Sequence, residues 1–315
     1  MIPRAHRCIF VLNELPDLQP RIQVSLFSIL EEKEIQIRGF KVRLPLDIQF
    51  IFTSNPEDYT NRGTIVTPLK DRIGSQILTH YPESIEIAKK ITEQESKLDS
   101  KVISKIHIPE IARDIIEQIS FEARESDLID KKSGVSARMS ITSLQNLVSS
   151  AERRMIINNE KKTSIRMSDF NSVISSINGK VELVYEGEEE GAEQVSYNLI
   201  SDAVKSLFNK YFPKIEKISK PGEETPYDSL LEWFTQKQLV IGDSLNDNEY
   251  EELLLEIIDA RTIIDKYVKD LDDNDRFFFI EFILWGLESF NKLSILRTNN
   301  GIEFKDPFNN FINKI

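Results

Sequence analysis

Two short apolar runs, each ending in polar residues, constrain this chain most. Cys8-Ile9-Phe10-Val11-Leu12 is continuously apolar and stops at Asn13-Glu14. Such a run predicts a parallel strand buried on both faces, with Cys8 as a small core residue. Leu46–Phe52 predicts a second strand, and it ends in Thr53-Ser54-Asn55-Pro56. Between them, Gln19–Glu32 sets Ile22, Leu26, Ile29 and Leu30 at helical spacing. Glu34–Leu44 alternates around Gly39, which is a hairpin signal. Pro68-Leu69-Lys70-Asp71-Arg72-Ile73-Gly74 follows, and Ile77–Thr79 reads as one more short strand. Strands alternating with helices in this way predict an α/β layer.

From Ser84 onward the pattern predicts only helix and loop. Helices are expected over Ser84–Lys97, Pro109–Glu125, Ser140–Asn158, Ser168–Ser176 and Glu193–Phe212. The spacing of Ile111, Ile115 and Ile119, and of Leu144, Leu147, Val148 and Ala151, marks the apolar faces of two of them. Asn178-Gly179 is a stop, and Lys217–Pro226, with two prolines and a glycine, reads as a linker. Further helices are expected near Tyr227–Lys237, Asp247–Leu271 and Asp275–Ile295, with Asp247 and Asp275 as N-caps. Arg297–Ile315 reads as an irregular arm.

The 315 residues suggest roughly two domains. A formal charge of -12 argues against nonspecific binding to nucleic acid or to an anionic membrane, since phosphate neutralisation needs a basic surface. The single cysteine excludes an internal disulfide and fits a reducing cytoplasm. Pro3, Arg4, His6 and Arg7 break any N-terminal apolar run, so no signal peptide is expected. Phe277–Leu287 is too short to span a bilayer and reads as a buried helix. Acidic Glu186–Glu193 has two readings: carboxylates clustered on a divalent cation, or a solvated loop whose acids favour the following helix N-terminus. The second is the simpler.

The order acidic strand end, helix, hairpin, Asn-ended strand, then Asp71-Arg72 resembles the second half of an AAA+ ATPase core. Cys8–Glu14 looks like a Walker B strand, Leu46–Asn55 like a sensor-1 strand, and Arg72 stands where that class keeps an arginine finger. More narrowly, Asn13–Leu18, Ile29–Gly39, Asn55–Gly63 and Thr67–Arg72 resemble the magnesium-chelatase I-subunit-like, MoxR-type branch. Ser133-Gly134-Val135-Ser136-Ala137-Arg138 is similar to its sensor-2 region, and Gly179–Gly187 also looks familiar from it. The resemblance covers about Pro3–Leu207.

The resemblance implies ATP and Mg²⁺ as cofactors, and hydrolysis by positioned groups rather than covalent chemistry. Glu14 would polarise the attacking water and Asn55 would hold it from the other side. Asn13, where a Walker B aspartate stands, would help hold the Mg²⁺ shell without a charge. Arg72 would reach the γ-phosphate of a neighbouring subunit, and Arg138 would touch the nucleotide from a helical lid. Each residue also has a plain structural reading. Acids at strand ends are common, Asn-Pro marks turns, and Asp71 and Arg72 can pair with each other or with Lys70.

The expected fold is therefore an α/β P-loop (AAA+) core, present in part (1–82), followed by an all-α lid (83–180) and a C-terminal helical region (181–315). The family further implies a homo-oligomeric ring and a partner with a von Willebrand factor A domain, on which the ring acts as a remodelling motor. One departure is plain. No Gly-x-x-x-x-Gly-Lys-Ser/Thr loop occurs, and the single Gly179-Lys180 pair is followed by Val181. A start assigned too late, a gene divided between two chains, or a degenerate remnant each accounts for this. A non-catalytic interaction module is accordingly the alternative function. A sigma-54-type activator is disfavoured, because the chain has neither that class's signature loop nor a basic helix-turn-helix.

Overall fold

A computed structural model describes residues 2–37, 39–43, 46–55, 64–215, 225–269, 271–298 and 301–307. The protein is mixed α/β, with many helices and small sheets, and it divides into two compact units, Met1–His80 and Tyr81–Ile315. Most of the segment Asn55–Gly63, most of the expected linker and the end of the C-terminal arm fall outside the described residues.

In the first unit, β1 (Cys8–Leu12) leads through a 3₁₀ turn (Leu15–Asp17) into α1 (Pro20–Phe27), which runs on into a π-helical turn (Ser28–Glu32). The hairpin of β2 (Glu34–Ile37) and β3 (Phe40–Arg43) pairs antiparallel across Gly39, whose φ of +88° favours glycine. β4 (Ile48–Phe52) then lies parallel to β1, with Phe10 opposite Phe50 and Leu12 opposite Phe52, and α2 (Thr67–Lys70) follows. Leu15, Leu26, Ile29, Leu46 and Leu69 form the core, and Leu12, Ile48, Phe50 and Phe52 pack on it from one face of the strand pair.

The other face is open, contrary to the expectation of burial on both sides. Ile9, Val11 and Ile51 are 65 %, 51 % and 43 % exposed. Cys8 is exposed too, and its Sγ lies 3.7 Å from the His6 carbonyl. The run was apolar for two faces, but within this unit the core covers only one. Ile77–Thr79 is extended and forms no strand, and Ile77 and Leu78 are exposed. On α1 Leu26 is buried as expected, but Gln23 is buried where Ile22 is exposed. The Gln23 side chain donates to the carbonyls of Leu18 (2.9 Å) and Thr64 (3.1 Å) and accepts from Val66 N–H (2.9 Å). A buried amide is tolerated because all three bonds are made.

The second unit contains α3 (Ile85–Glu95), α4 (Ser100–Ile103), β5 (Ile106–His107), α5 (Glu110–Glu125), α6 (Arg138–Ile157), β6 (Thr163–Ser164), α7 (Ile174–Asn178), α8 (Tyr185–Glu190) and α9 (Ala192–Tyr211). After these come α10 (Asp228–Gln236), β7 (Leu239–Gly242), α11 (Asp247–Leu255), α12 (Ile258–Tyr267), α13 (Asp273–Ser289), β8 (Ser294–Thr298) and β9 (Gly301–Lys305). One continuous apolar core runs from Ile106 to Phe304. α13 is its central rod, and Phe278–Leu287 is buried throughout. Within the described residues no helix is long and apolar enough to cross a membrane.

The expectation of helix and loop alone after Ser84 fails at five strands. β5 and β6 pair parallel, while β7, β9 and β8 form a three-stranded antiparallel sheet in that order. The expected helix to Ile295 ends at Ser289, where Asn291 turns left-handed (φ 57°) and Lys292 N–H bonds back to Leu287 O at 2.8 Å. The expected helix Asp247–Leu271 breaks at Glu256–Ile257, where buried Ile257 leaves helical geometry. The caps are Asn246, in a reciprocal box with Glu249, and Asp272, rather than Asp247 and Asp275. Over Ser168–Ser176 the chain is 3₁₀ (Met167–Val173) before it becomes α7.

Candidate functional site

β1 and β4 run parallel, so their C-terminal ends lie side by side and bring two polar strand ends together. Thr53 N–H bonds Leu12 O at 3.0 Å, which extends the ladder one residue beyond the strands. Leu15 N–H returns to Thr53 O at 2.9 Å. Between these bonds sit Asn13 and Glu14, both exposed. Glu14 N–H donates to Thr53 Oγ1 at 3.0 Å, and that hydroxyl donates to Asn13 Oδ1 at 3.4 Å. Glu14 adopts φ 50°, ψ 57°, a left-handed backbone uncommon for a side chain of its type. The turn is required because Leu15 and Pro16 must enter the core immediately after an exposed strand end.

Asn55 follows Thr53 by two residues and is exposed. The structure therefore collects Asn13, Glu14 and Thr53 at one strand-end edge, with Asn55 next in the chain. Asn13 and Glu14 both offer oxygen donors, the ligand type that Mg²⁺ takes. Among the described residues no group of three or more His, Cys, Asp or Glu is placed to hold a metal ion. Acidic Glu186 and Glu188 lie in the first turn of α8, where the helix dipole favours them.

Arg72 sits elsewhere in the first unit, at the end of α2. Its Nε bonds Glu31 Oε2 at 2.6 Å, its Nη1 donates to Pro68 O at 2.7 Å, and the guanidinium lies 5.3 Å from the centre of the Phe27 ring. Glu31 belongs to the π-helical turn, so Arg72 holds that turn against α2. Its partner is neither Asp71 nor Lys70. Arg138 lies in the second unit, exposed in the first turn of α6, where a cation opposes the helix dipole. Its backbone N–H is capped by Ser136 Oγ at 3.2 Å. Just before it, buried Val135 takes its bond from N–H to Tyr81 Oη at 3.1 Å.

Sequence reasoning missed Thr53, whose signal was its place one residue past the second apolar run. It also missed a buried polar network in the second unit. There Asp169 accepts from Arg154 Nη1 (2.5 Å), Ser150 Oγ (2.9 Å) and Arg166 N–H (2.8 Å). Arg166 Nη2 reaches Asp247 Oδ1 at 2.7 Å, and its guanidinium stacks 4.0 Å from the Tyr250 ring centre. Tyr250 Oη donates to Glu281 Oε2 at 2.7 Å. Burial pushes the Glu281 carboxyl up to about 7. The adjoining cavity, lined by Ser164, Arg166, Asp247 and Tyr250 among others, is about 30 Å³, room for a water or two but not for a nucleotide. The network joins α11 and α13 to α6 and the 3₁₀ segment.

No family model matches this sequence, and no curated protein matches it. A solved structure from Cytophaga hutchinsonii, described as a "putative ATPase", is 19 % identical over 61 % of this chain, with a TM-score of 0.26. The match spans 64 % of that chain, less than two thirds of its length. So loose a superposition at so low an identity carries no argument about fold or function.

Proposed function

We propose that this chain is part of a magnesium-chelatase-like, MoxR-type AAA+ ATPase. In this reading it couples ATP binding and hydrolysis in an oligomeric ring to remodelling of a partner bearing a von Willebrand factor A domain. One observation carries the reading: Asn13-Glu14 and the Thr53–Asn55 segment meet at the C-terminal ends of two adjacent parallel strands. Ligands of open α/β sheets bind outside those strand ends. Glu14 orients and polarises the attacking water, and Asn55 holds that water from its other side. Asn13 supports the metal shell. Asn13 Oδ1 would stand nearest to a bound Mg²⁺, which would supply positive charge against the charge that develops on the phosphate. Arg72 serves as the finger to a neighbouring site after exchanging Glu31 for phosphate, a carboxylate-to-phosphate swap that a guanidinium fork makes readily.

The test is Mg-ATP turnover by this chain, alone and in the assembly recovered from its own cells, compared with Glu14→Gln. A loss of at least about 10²-fold in kcat is expected, the scale of a lost general base. Unchanged turnover refutes the water-activating role. A second reading is a non-catalytic interaction module that keeps a ring or partner interface. It is favoured by the engagement of Arg72 with Glu31. No turnover under either condition selects it.

A further inference from the structure

The stance of Glu14 is imposed from the neighbouring strand. Six non-glycine residues among those described have positive φ: Arg7, Glu14, Lys33, Lys97, Asn159 and Asn291. Lys33, Lys97, Asn159 and Asn291 come at or just after helix ends, where a left-handed residue satisfies the last carbonyls, and Arg7 follows the 3₁₀ turn Ile2–Ala5. Glu14 alone stands just past a strand end, two residues beyond β1. A side chain of this type keeps such a backbone only where its surroundings over-determine it.

The surroundings here are Thr53 on one side and the buried Leu15-Pro16 on the other. Thr53 is used three times. Its N–H ties to Leu12 O (3.0 Å), its carbonyl takes Leu15 N–H (2.9 Å), and its hydroxyl takes Glu14 N–H (3.0 Å). A hydroxyl has one proton, and this one points to Asn13 Oδ1. The hydroxyl thus has a direction: it accepts from the backbone of Glu14 and donates to the side chain of Asn13. Both members of the pair are oriented by a single atom of the adjacent strand.

We propose that Thr53 is the positioning residue of this site, holding Glu14 in its left-handed stance and fixing the Asn13 amide beside it. What the positioning serves rests on the reading of Glu14 as the water-activating group; the contact itself does not. Valine at 53 keeps the shape and the β-branch but leaves Glu14 N–H without its acceptor, whereas serine keeps the hydroxyl.

The experiment compares the parent chain with Thr53→Val and Thr53→Ser, each first shown to melt with the parent. Exchange of the Glu14 amide with solvent is read by NMR. Thr53→Val should speed it about five- to tenfold, the factor carried by one neutral hydrogen bond, and Thr53→Ser should match the parent. Parent-like exchange in Thr53→Val overturns the proposal. In Mg-ATP hydrolysis, Thr53→Val should lower kcat at least about tenfold at unchanged KM, with recovery in Thr53→Ser, as expected of a misplaced catalytic group. Equal kcat in all three overturns the positioning role. A parent that hydrolyses no ATP overturns the hydrolytic reading instead, and the exchange comparison decides on Thr53 in that case too.

Discussion

Replacing Glu281 by glutamine should remove that residue's own share of the pH dependence of the second unit's stability in the weakly acidic range. Glu281 is fully buried on α13. Tyr250 Oη bonds one carboxyl oxygen. Burial is the dominant influence, and it lifts the carboxyl from 4.5 to about 7. The hydrogen bond from Tyr250 pulls the other way, Asp169 adds a like charge, and Arg166 and Trp285 oppose it. The buried side chains of α9 and α12, the other helices packed on α13, are apolar except Ser196.

Between the unfolded and folded values, the native state holds a proton that the unfolded chain has released. Stability from this group is therefore fullest below about pH 4.5, falls as pH rises, and levels off above about pH 7. A rise of this size corresponds to about 3 kcal/mol in all, of which about 2 kcal/mol falls between about pH 5.5 and about pH 8. Glutamine keeps the acceptor for Tyr250 and does not titrate. Urea unfolding followed by fluorescence reports on this unit, because Trp233 and Trp285 both lie in it. The gap between variant and parent should widen by about 2 kcal/mol in favour of Glu281→Gln as pH rises over that range. A gap constant to within about 0.5 kcal/mol would refute the reasoning, since urea extrapolations resolve differences of that order.

Gly286→Ala should destabilise the same unit. An added Cβ would sit 2.1 Å and 2.3 Å from two ring carbons of buried Phe208, so overpacking of about 1–3 kcal/mol or more outweighs the gain of about 1 kcal/mol in helix propensity. Adding Phe208→Leu should recover part of the loss in urea unfolding. Asp169→Asn breaks a buried pair and leaves the Arg154 guanidinium charge uncompensated, at a cost of about 3–5 kcal/mol in the same measurement. Cys8, exposed on β1, should react with a disulfide reagent in the native protein at close to the rate of the urea-unfolded chain. Reaction only on unfolding would contradict the exposure of Cys8 at the start of β1.

Local pattern alone determined the amphipathic helices. The spacing of Ile111, Ile115 and Ile119 on α5, and of Leu144, Leu147, Val148 and Ala151 on α6, states which side faces a core, and all seven are buried. It likewise marked two apolar runs with polar ends, Asn13-Glu14 and Thr53-Ser54-Asn55. Periodicity could not say how much neighbouring structure each run would meet. β1 therefore has an open face and an exposed Cys8, since burial belongs to the assembly around a strand. β9 carried a period-two signal, Ile302 and Phe304, which was hidden in a polar tail. Only pairing with β7 and β8 makes those two side chains core.

Tertiary structure also decided every polar partnership that joins distant segments: Gln23 with Thr64 and Val66, Arg72 with Glu31, Arg166 with Asp247, and Tyr250 with Glu281. A buried hydrogen bond is specified by geometry in space, and residues 31 or 81 positions apart leave no periodic trace of it. For the same reason Thr53 emerged only when parallel pairing of β1 and β4 placed its hydroxyl against Glu14. The sequence named the chemical groups at the strand ends. The fold decided which of them stand together and in what orientation.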